Sequence, residues 1–178
     1  RSRGLGDVYK RQVFISGKPS HGWMKHEHRA GNMILAKRLN ESGLPIKAVV
    51  LEDIGYPKDE SVLHDASTIV VFCTGHGNHL LNPKLKEFDA LMKKGIGVIM
   101  IHWATEAVSG APGDKFLQWM GGFCDLNWSV NPHWKPNFMP RKHSIWNGVQ
   151  PFSVDDEWYY HMRCLLYTSP SPRDLSTA

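Results

Sequence analysis

Short apolar runs alternate with helical patterns along most of the chain, and this alternation limits the possible folds more than any other feature of the sequence. The clearest runs are IVVFC at 69–73 and VIMI at 98–101. The segments between such runs carry apolar residues at helical spacing, which is the pattern of repeated βα units. The alternation predicts an α/β fold, a flavodoxin-like three-layer sandwich built on a mostly parallel sheet.

Four strands and four helices are predicted from this pattern. The strands are 13–17, 46–51, 68–73 and 96–101, and the helices are 26–42, 61–66, 82–94 and 114–120. The third helix is the best defined, because Asn82 and Pro83 suit its first positions and Gly95 follows its end. The first helix is expected to bury an apolar face made of Ala30, Met33, Ile34, Leu35, Ala36 and Leu39.

The two ends of the chain are expected to be foreign to the domain. One DNA element can encode residues 2–12 on one strand and residues 164–173 on the other. That element resembles the adapter of sequencing libraries, so 1–12 and 164–178 are interpreted as translated sequencing adapter and 13–163 as a partial domain, truncated at both ends. Whether a signal peptide precedes this segment stays open, and with it the choice between a cytoplasmic and an exported protein.

Charge and apolar length exclude two classes of partner. The whole chain carries a net charge of +4, but without the two ends the balance is +1 and no cluster of Lys and Arg remains. Binding to a phosphate backbone requires such a cluster, so no nucleic acid is expected as a partner. No apolar run approaches the roughly 20 residues that cross a bilayer, so no membrane is expected either. The oligomeric state stays open.

Several histidines follow predicted strands. His21 follows the first strand, His76 and His79 follow the third, and His102 ends the fourth. In an open α/β sheet the ligand crevice lies beyond the carboxyl ends of the strands. We therefore expect His21, His79 and His102 to converge on one crevice.

The sequence His26-Glu27-His28 lies at the start of the first predicted helix, which opens onto the same crevice. Glu27 could act there as a general acid or base, or it could complete a metal site. Either histidine could equally be a solvated surface residue.

Other motifs bear on the type of chemistry. There is no G-x-S-x-G, and the turn after the fourth strand reads IHWA at 101–104, with no Cys or Ser where an elbow nucleophile would stand. Covalent acyl chemistry is therefore disfavoured.

Trp103, Trp128 and Trp134 lie in predicted loops near the crevice, where aromatic faces suit polyhydroxyl ligands. The acidic turn at 155–157 is expected to be exposed and to need no functional interpretation. Cys73 and Cys124 form neither a disulfide framework nor a zinc site.

Taken in order, these motifs resemble the ThuA-like, trehalose-utilisation family. The resemblance is carried by Ser20-His21-Gly22, His26-Glu27-His28 with Ala30-Gly31, and the segments 77–79, 101–104, 119–122, 128–134 (WSVNPHW) and 156–159. It covers essentially all of 13–163. It implies a fold like that of class I glutamine amidotransferases, with His102 where the amidotransferase has its cysteine, so glutaminase activity is not implied.

The resemblance also implies a function and a set of site residues. The function is sugar catabolism, on trehalose, related disaccharides or their keto forms. The residues at the matching positions are His21, Glu27, His79, His102 and His133. The family domain is expected to continue past residue 163 with further strands.

Three functions stay open at this point. In the first, a carbohydrate-processing enzyme of hydrolase or lyase type, Glu27 and His102 exchange protons with a sugar hydroxyl or glycosidic oxygen. The substrate is then bound by His21, His79, Trp103, His133 and Trp134. In the second, His21, His79 and His102 hold a divalent metal such as zinc that activates water, although no H-E-x-x-H motif supports this. In the third, the protein is a non-catalytic sugar-binding module, and no cofactor is required.

Overall fold

A computed structural model of the protein describes residues 9–165. Its centre is a four-stranded parallel sheet with the order β2-β1-β3-β4. The strands are β1 (Lys10–Ser16), β2 (Ile46–Ile54), β3 (Thr68–Phe72) and β4 (Gly97–Met100). The predicted α/β class and the mostly parallel central sheet are confirmed.

Three α-helices cover the sheet in the described part of the chain: α1 (His28–Asn40), α2 (Leu85–Lys93) and α3 (Ala111–Met120). The segment predicted as a short helix at 61–66 is a 3-10 turn at Glu60–Leu63, and further 3-10 turns lie at His76–Asn78, Asn82–Lys84, His102–Thr105 and Ser144–Trp146. No helix in residues 9–165 has the length and apolar character needed to cross a bilayer.

The central strands are buried on both faces, which explains why their sequences are almost continuously apolar. Val13 and Ile15 of β1 face a large core shared with α2 and α3, where Phe88 and Phe116 are fully buried. Phe14, between them, faces a smaller core on the α1 side. The two cores and the sheet between them make the predicted three-layer sandwich.

The buried face of α1 differs from the predicted one. Ala36 and Leu39 pack against the smaller core as predicted, but Met33, Ile34 and Leu35 are exposed. The fully buried side chains of the helix include His28 and Asn32. The Asn32 amide donates to the carbonyl oxygen of Ile15 at 3.0 Å and to Ser16 Oγ at 2.9 Å. The pairing of β1 with β2 shifts register here, so a polar helix face supplies hydrogen bonds that an apolar face could not.

The first strand begins at Lys10, three residues before the predicted start. Lys10, Arg11 and Gln12 pair with β2, and Arg11 NH1 donates to the carbonyl of Val62 and to Asp65, each at 2.6 Å. Residues 10–12 therefore belong to the sheet. At the other end Cys164 pairs with Gly122, and the N–H of Leu165 donates to the carbonyl of Gly121. The rest of the two ends expected to be translated adapter, 1–8 and 166–178, lies outside the described residues.

The chain after α3 forms short antiparallel pairs instead of further βα units. They are β5 (Gly122–Phe123) with β10 (Arg163–Cys164), β6 (His133–Trp134) with β9 (Asp156–Glu157), and β7 (Asn137–Phe138) with β8 (Phe152–Ser153). The pair β6–β9 matters for the site, because it brings Glu157 to the carboxyl end of the parallel sheet.

Candidate functional site

Two histidines meet at the carboxyl end of the sheet. Nε2 of His26, in the loop after β1, lies 3.3 Å from Nε2 of His102, which follows β4. The other ring nitrogen of His26 lies 3.2 Å from Ser20 Oγ. This contact joins the first and fourth strand exits, as the crevice rule requires.

Three of the histidines at strand exits have left-handed backbone conformations. The φ angles are 62° at His21, 54° at His76 and 52° at His102. Residues with a Cβ atom rarely adopt this backbone conformation, because it costs about 1–3 kcal/mol. Residues held in it cluster at functional sites. At His102 the left-handed residue turns the chain sharply between β4 and the 3-10 turn His102–Thr105.

His21 and Trp103 extend the cluster on one side of His26. The ring centroid of His21 lies 4.3 Å from that of His26 and 4.5 Å from that of Trp103. Trp103 is also 5.5 Å from His26. Of the three histidines predicted to converge on one crevice, His21 and His102 do so, with His26 between them and Trp103 beside His21.

The antiparallel pair β6–β9 and the residues that follow it add a carboxylate and a phenol to the crevice. Glu157 Oε2 lies 3.8 Å from His102 Nε2, and the Tyr159 ring stands edge-on to His102 at 5.6 Å. Burial, together with the carboxylates of Glu106 and Glu157, raises the pKa of Tyr159, so its phenol stays protonated. The acidic turn at 155–157, expected to lack a function, therefore supplies a group in contact distance of His102.

A second carboxylate, Glu106, follows the turn after β4 and is 2% exposed. The indole N–H of Trp103 donates to its Oε2. Burial raises the pKa of Glu106, more than the Trp103 hydrogen bond and nearby histidines lower it. Glu106 was not among the predicted site residues, although it lies only four residues after His102.

The side chains at the carboxyl end of the sheet line two adjoining cavities of about 430 and 440 Å³. Lys25, His26 and Glu157 line both. The first is also lined by His21, Trp103, Glu106, Leu126, Asn131 and Tyr159, and the second by Phe72, His102, His133 and Asp156. His26 and Glu157 thus stand between the two spaces, which together have the size of a small-molecule site.

Electrostatics keep His26 neutral. Partial burial lowers its pKa, and the neighbouring His102, His21 and His28 lower it further, while Glu157 acts in the opposite direction. A neutral imidazole can accept a proton, so His26 has the charge state of a base near neutral pH.

His79 does not reach the crevice, although it was predicted to bind substrate or metal. It is 1% exposed and packs on Phe116. Its Nδ1 accepts the backbone N–H of Leu81 and its Nε2 donates to the carbonyl of Ala104, both at 3.1 Å. Both ring nitrogens are occupied, so His79 braces the loop after β4 and has no lone pair for a ligand.

Glu27 lies beside the crevice, not in it. Its Oε1 accepts the backbone N–H of Met24 at 3.1 Å, and it lines a separate groove with Trp23 and Met24. The partner of His102 expected at Glu27 is found at Glu157 instead. His28, its neighbour, is fully buried and donates from Nδ1 to the carbonyl of Lys18 at 2.7 Å, so it is not a solvated surface residue.

The remaining predicted residues lie at the edge of the site. His133 lines the second cavity and pairs with Asp155 at 3.2 Å. Trp134 lies next to it in β6, where its carbonyl accepts the indole N–H of Trp158 and its ring lies 6.3 Å from Tyr160. His133 is therefore placed to contact a ligand, whereas Trp134 stabilises the β6–β9 pair.

The described residues offer few groups for metal binding or thiol chemistry. Within residues 9–165, no three His, Cys, Asp or Glu side chains are arranged to hold a metal ion. Cys73 is buried, and burial raises the pKa of its thiol to about 12. Burial likewise raises the pKa of Cys124 to about 11. Neither thiol is an activated nucleophile.

The fold and the site define an α/β protein with a ligand crevice at the carboxyl ends of a parallel sheet. A family model described as ThuA, trehalose utilisation, matches residues 12–173. The chain belongs to this family. Its structure is similar to the crystal structure of a ThuA-like protein from Bacteroides uniformis, with a TM-score of 0.55 and 15% identity, over 91% of this chain and 70% of that chain. No protein with a curated description matches the sequence significantly.

Proposed function

We propose that the protein is an enzyme of sugar catabolism that acts on a trehalose-like or keto-disaccharide substrate by acid–base chemistry. The observation that carries this proposal is the contact between His26 and His102, with Glu157 Oε2 3.8 Å from His102 Nε2. A proton on either imidazole can pass to its neighbour or to a sugar hydroxyl in the cavity.

The crevice suits a neutral polyhydroxyl ligand. The first cavity has one lysine, Lys25, against two glutamates, so it offers no cationic surface for a phosphate or carboxylate. Its polar groups include both donors and acceptors, and Trp103 supplies a flat apolar wall. Family membership in trehalose utilisation supports the same substrate class.

In the proposed mechanism His102 and His26 form the proton-transferring pair. Glu157, whose Oε2 lies 3.8 Å from His102 Nε2, orients the His102 ring, while His26 stays neutral and accepts the proton. His21 and Trp103 hold the sugar ring against the pair. His133 contacts the part of the substrate that enters the second cavity.

The test measures binding and turnover separately. Trehalose and a keto derivative of trehalose are titrated by calorimetry and incubated with the protein, and products are followed by NMR. We expect binding and turnover, with His102→Gln reducing turnover about 10²–10⁴-fold while binding persists. His64→Gln, an exposed histidine before β3, is the matched control. Binding without turnover would favour the sugar-binding module, and the absence of both would refute a carbohydrate function.

A metal-dependent hydrolase is a second candidate with one observation in its favour. Two nitrogen ligands of one tetrahedral zinc ion, each about 2.0–2.1 Å from it, lie about 3.3 Å apart, which is the distance between the Nε2 atoms of His26 and His102. His79, expected as a third ligand, has both nitrogens occupied. Metal analysis of the purified protein, with a chelator control on turnover, distinguishes this candidate from the first.

A further inference from the structure

Glu106 combines two properties that a structural carboxylate does not need. It is 2% exposed, yet it lines the first cavity with His21, His26 and Tyr159. Of its two oxygens, Oε2 accepts the indole N–H of Trp103. The carboxyl group is therefore both shielded from bulk water and open to a ligand.

A second buried carboxylate in the same protein shows what a structural role looks like. Asp89 accepts the indole N–H of Trp119 at 3.0 Å, and Lys93 and Lys115 lie 2.8 and 2.9 Å from it. These three donors hold the pKa of Asp89 far below its usual range. Glu106 has an equivalent indole donor, but no Lys or Arg among the described residues pairs with it, and its pKa is raised.

The backbone holds Glu106 firmly at the cavity wall. Its N–H donates to the carbonyl of Trp103, and its carbonyl accepts the N–H of His76, both at 3.0 Å. A Cβ at Gly75 would lie 2.7 Å from Glu106 Cβ, so only glycine at that position lets the β3 exit approach this closely. A group meant to transfer a proton needs this kind of fixed position.

We propose that Glu106 is the acid that protonates the leaving oxygen of the sugar substrate. This inference rests on the proposed function and adds a second proton-transferring group to the histidine pair. Glu106 and His26 line the same cavity from different sides, since His26 lies in the loop after β1 and Glu106 in the loop after β4. His102 lines the adjoining cavity and contacts His26. A site with separate donor and acceptor groups can protonate a leaving group while it deprotonates water.

The proposed step is a hydrolysis. The bond between the anomeric carbon and the leaving oxygen breaks, its electron pair goes to that oxygen, and the oxygen takes the proton of Glu106. A water oxygen forms the new bond to the carbon and gives a proton to the histidine pair. Glu106 ends as a carboxylate and the pair gains one proton. Exchange with solvent restores both.

The test compares two leaving groups. An alkoxide leaving group, as in trehalose, requires protonation, whereas 4-nitrophenolate leaves without a proton. Glu106→Gln is expected to lower kcat on trehalose about 10²–10⁴-fold and to lower the rate on 4-nitrophenyl α-glucoside less than about tenfold. Glu52→Gln, an exposed glutamate of β2, should change neither rate. Equal losses on both substrates, or no loss on trehalose, would overturn the inference.

A second measurement needs no turnover. The carboxyl carbons are labelled with ¹³C, the Glu106 signal is assigned by its absence in Glu106→Gln, and its pKa is read from a titration. A pKa above the usual glutamate value of 4.5 supports the assignment, and a pKa at or below 4.5 overturns it. If the wild-type protein cleaves neither sugar, the proposed function fails, and the titration still decides whether Glu106 has the properties of an acid.

Discussion

His26 and His102 are 76 residues apart in the chain, and their Nε2 atoms are 3.3 Å apart in the structure. At this distance one ring donates an Nε2 proton that the other accepts, so the two rings share one hydrogen bond. In the proposed function the pair acts as a single proton-transferring unit.

The first prediction concerns this unit. His26→Gln and His102→Gln should each lower turnover of trehalose about 10²–10⁴-fold. The double variant should lose little more than the more damaged single variant, because groups that act as a unit have strongly non-additive effects. Steady-state kinetics of the three variants test this. Additive losses would show that the two histidines act independently.

The second prediction concerns stability in acid. Burial lowers the pKa of His79 to about 4, from 6.5 when unfolded, so between these pH values the unfolded state binds more protons than the folded state. The free energy of unfolding should therefore fall as the pH is lowered from 6.5 to 4, by up to about 3 kcal/mol from this residue.

Urea unfolding at several pH values measures this effect. His79→Gln should be less stable at pH 7 and should show a weaker dependence on pH, because the buried imidazole is gone. His64→Gln serves as the control, since that histidine is exposed. An unchanged slope in His79→Gln would contradict the assignment.

The third prediction compares two glycines in the loop after β3. A Cβ at Gly75 would lie 2.2 Å from the carbonyl oxygen of Trp103, whereas a Cβ at Gly77 meets nothing within 4 Å. Gly75→Ala should cost about 1–3 kcal/mol of stability and displace Glu106. Gly77→Ala should change stability by less than about 0.5 kcal/mol. Thermal unfolding and turnover of both variants check the contrast.

The fourth prediction concerns the hydrogen bond from Trp103 to Glu106. This bond stabilises the carboxylate form, so it lowers the pKa of Glu106 against the effect of burial. Trp103→Phe keeps an aromatic wall and removes the donor, so the pKa of Glu106 should rise further. The ¹³C titration measures the change. A pKa that stays the same or falls would show that the indole does not control this carboxyl group.

The fifth prediction concerns the start of β1. Arg11 bonds to the carbonyl of Val62 and to Asp65, so Arg11→Ala should lower the free energy of unfolding by about 1 kcal/mol. Lys10→Ala, at an exposed neighbouring position, should have little effect. Equal stabilities of the two variants in urea would indicate that the residues before Val13 contribute nothing to the sheet.

Much of the fold was predictable because its signals are local. The runs at 69–73 and 98–101 predicted buried parallel strands, and Gly95 marked the end of a helix. Asn82 and Pro83 placed the start of that helix three residues early, because they form a 3-10 turn before Leu85. The fold rule for open sheets then placed His21 and His102 at one crevice, which the structure confirms. Helix α1 was the exception, because its buried face carries His28 and Asn32 to satisfy the irregular end of β1.

Which side chains form the site could not be predicted in the same way. His79 and His21 both follow strands, yet the first turns into the core and bonds to Ala104, while the second faces the crevice. Glu27 was expected to act in the crevice together with His102, but it lies beside the crevice, and Glu157 is the carboxylate near His102.

The sequence by itself thus determined the layers of the fold and the edge of the sheet at which the histidines collect, since these follow from periodicity, turn residues and chain order. Its motifs, read by resemblance, indicated the family. Only the tertiary structure decided which side chains meet. That outcome depends on the left-handed turn at His102 and on the register of β6 with β9, which places Glu157 opposite His133. Both are set by contacts between residues distant in sequence, and no local pattern encodes them.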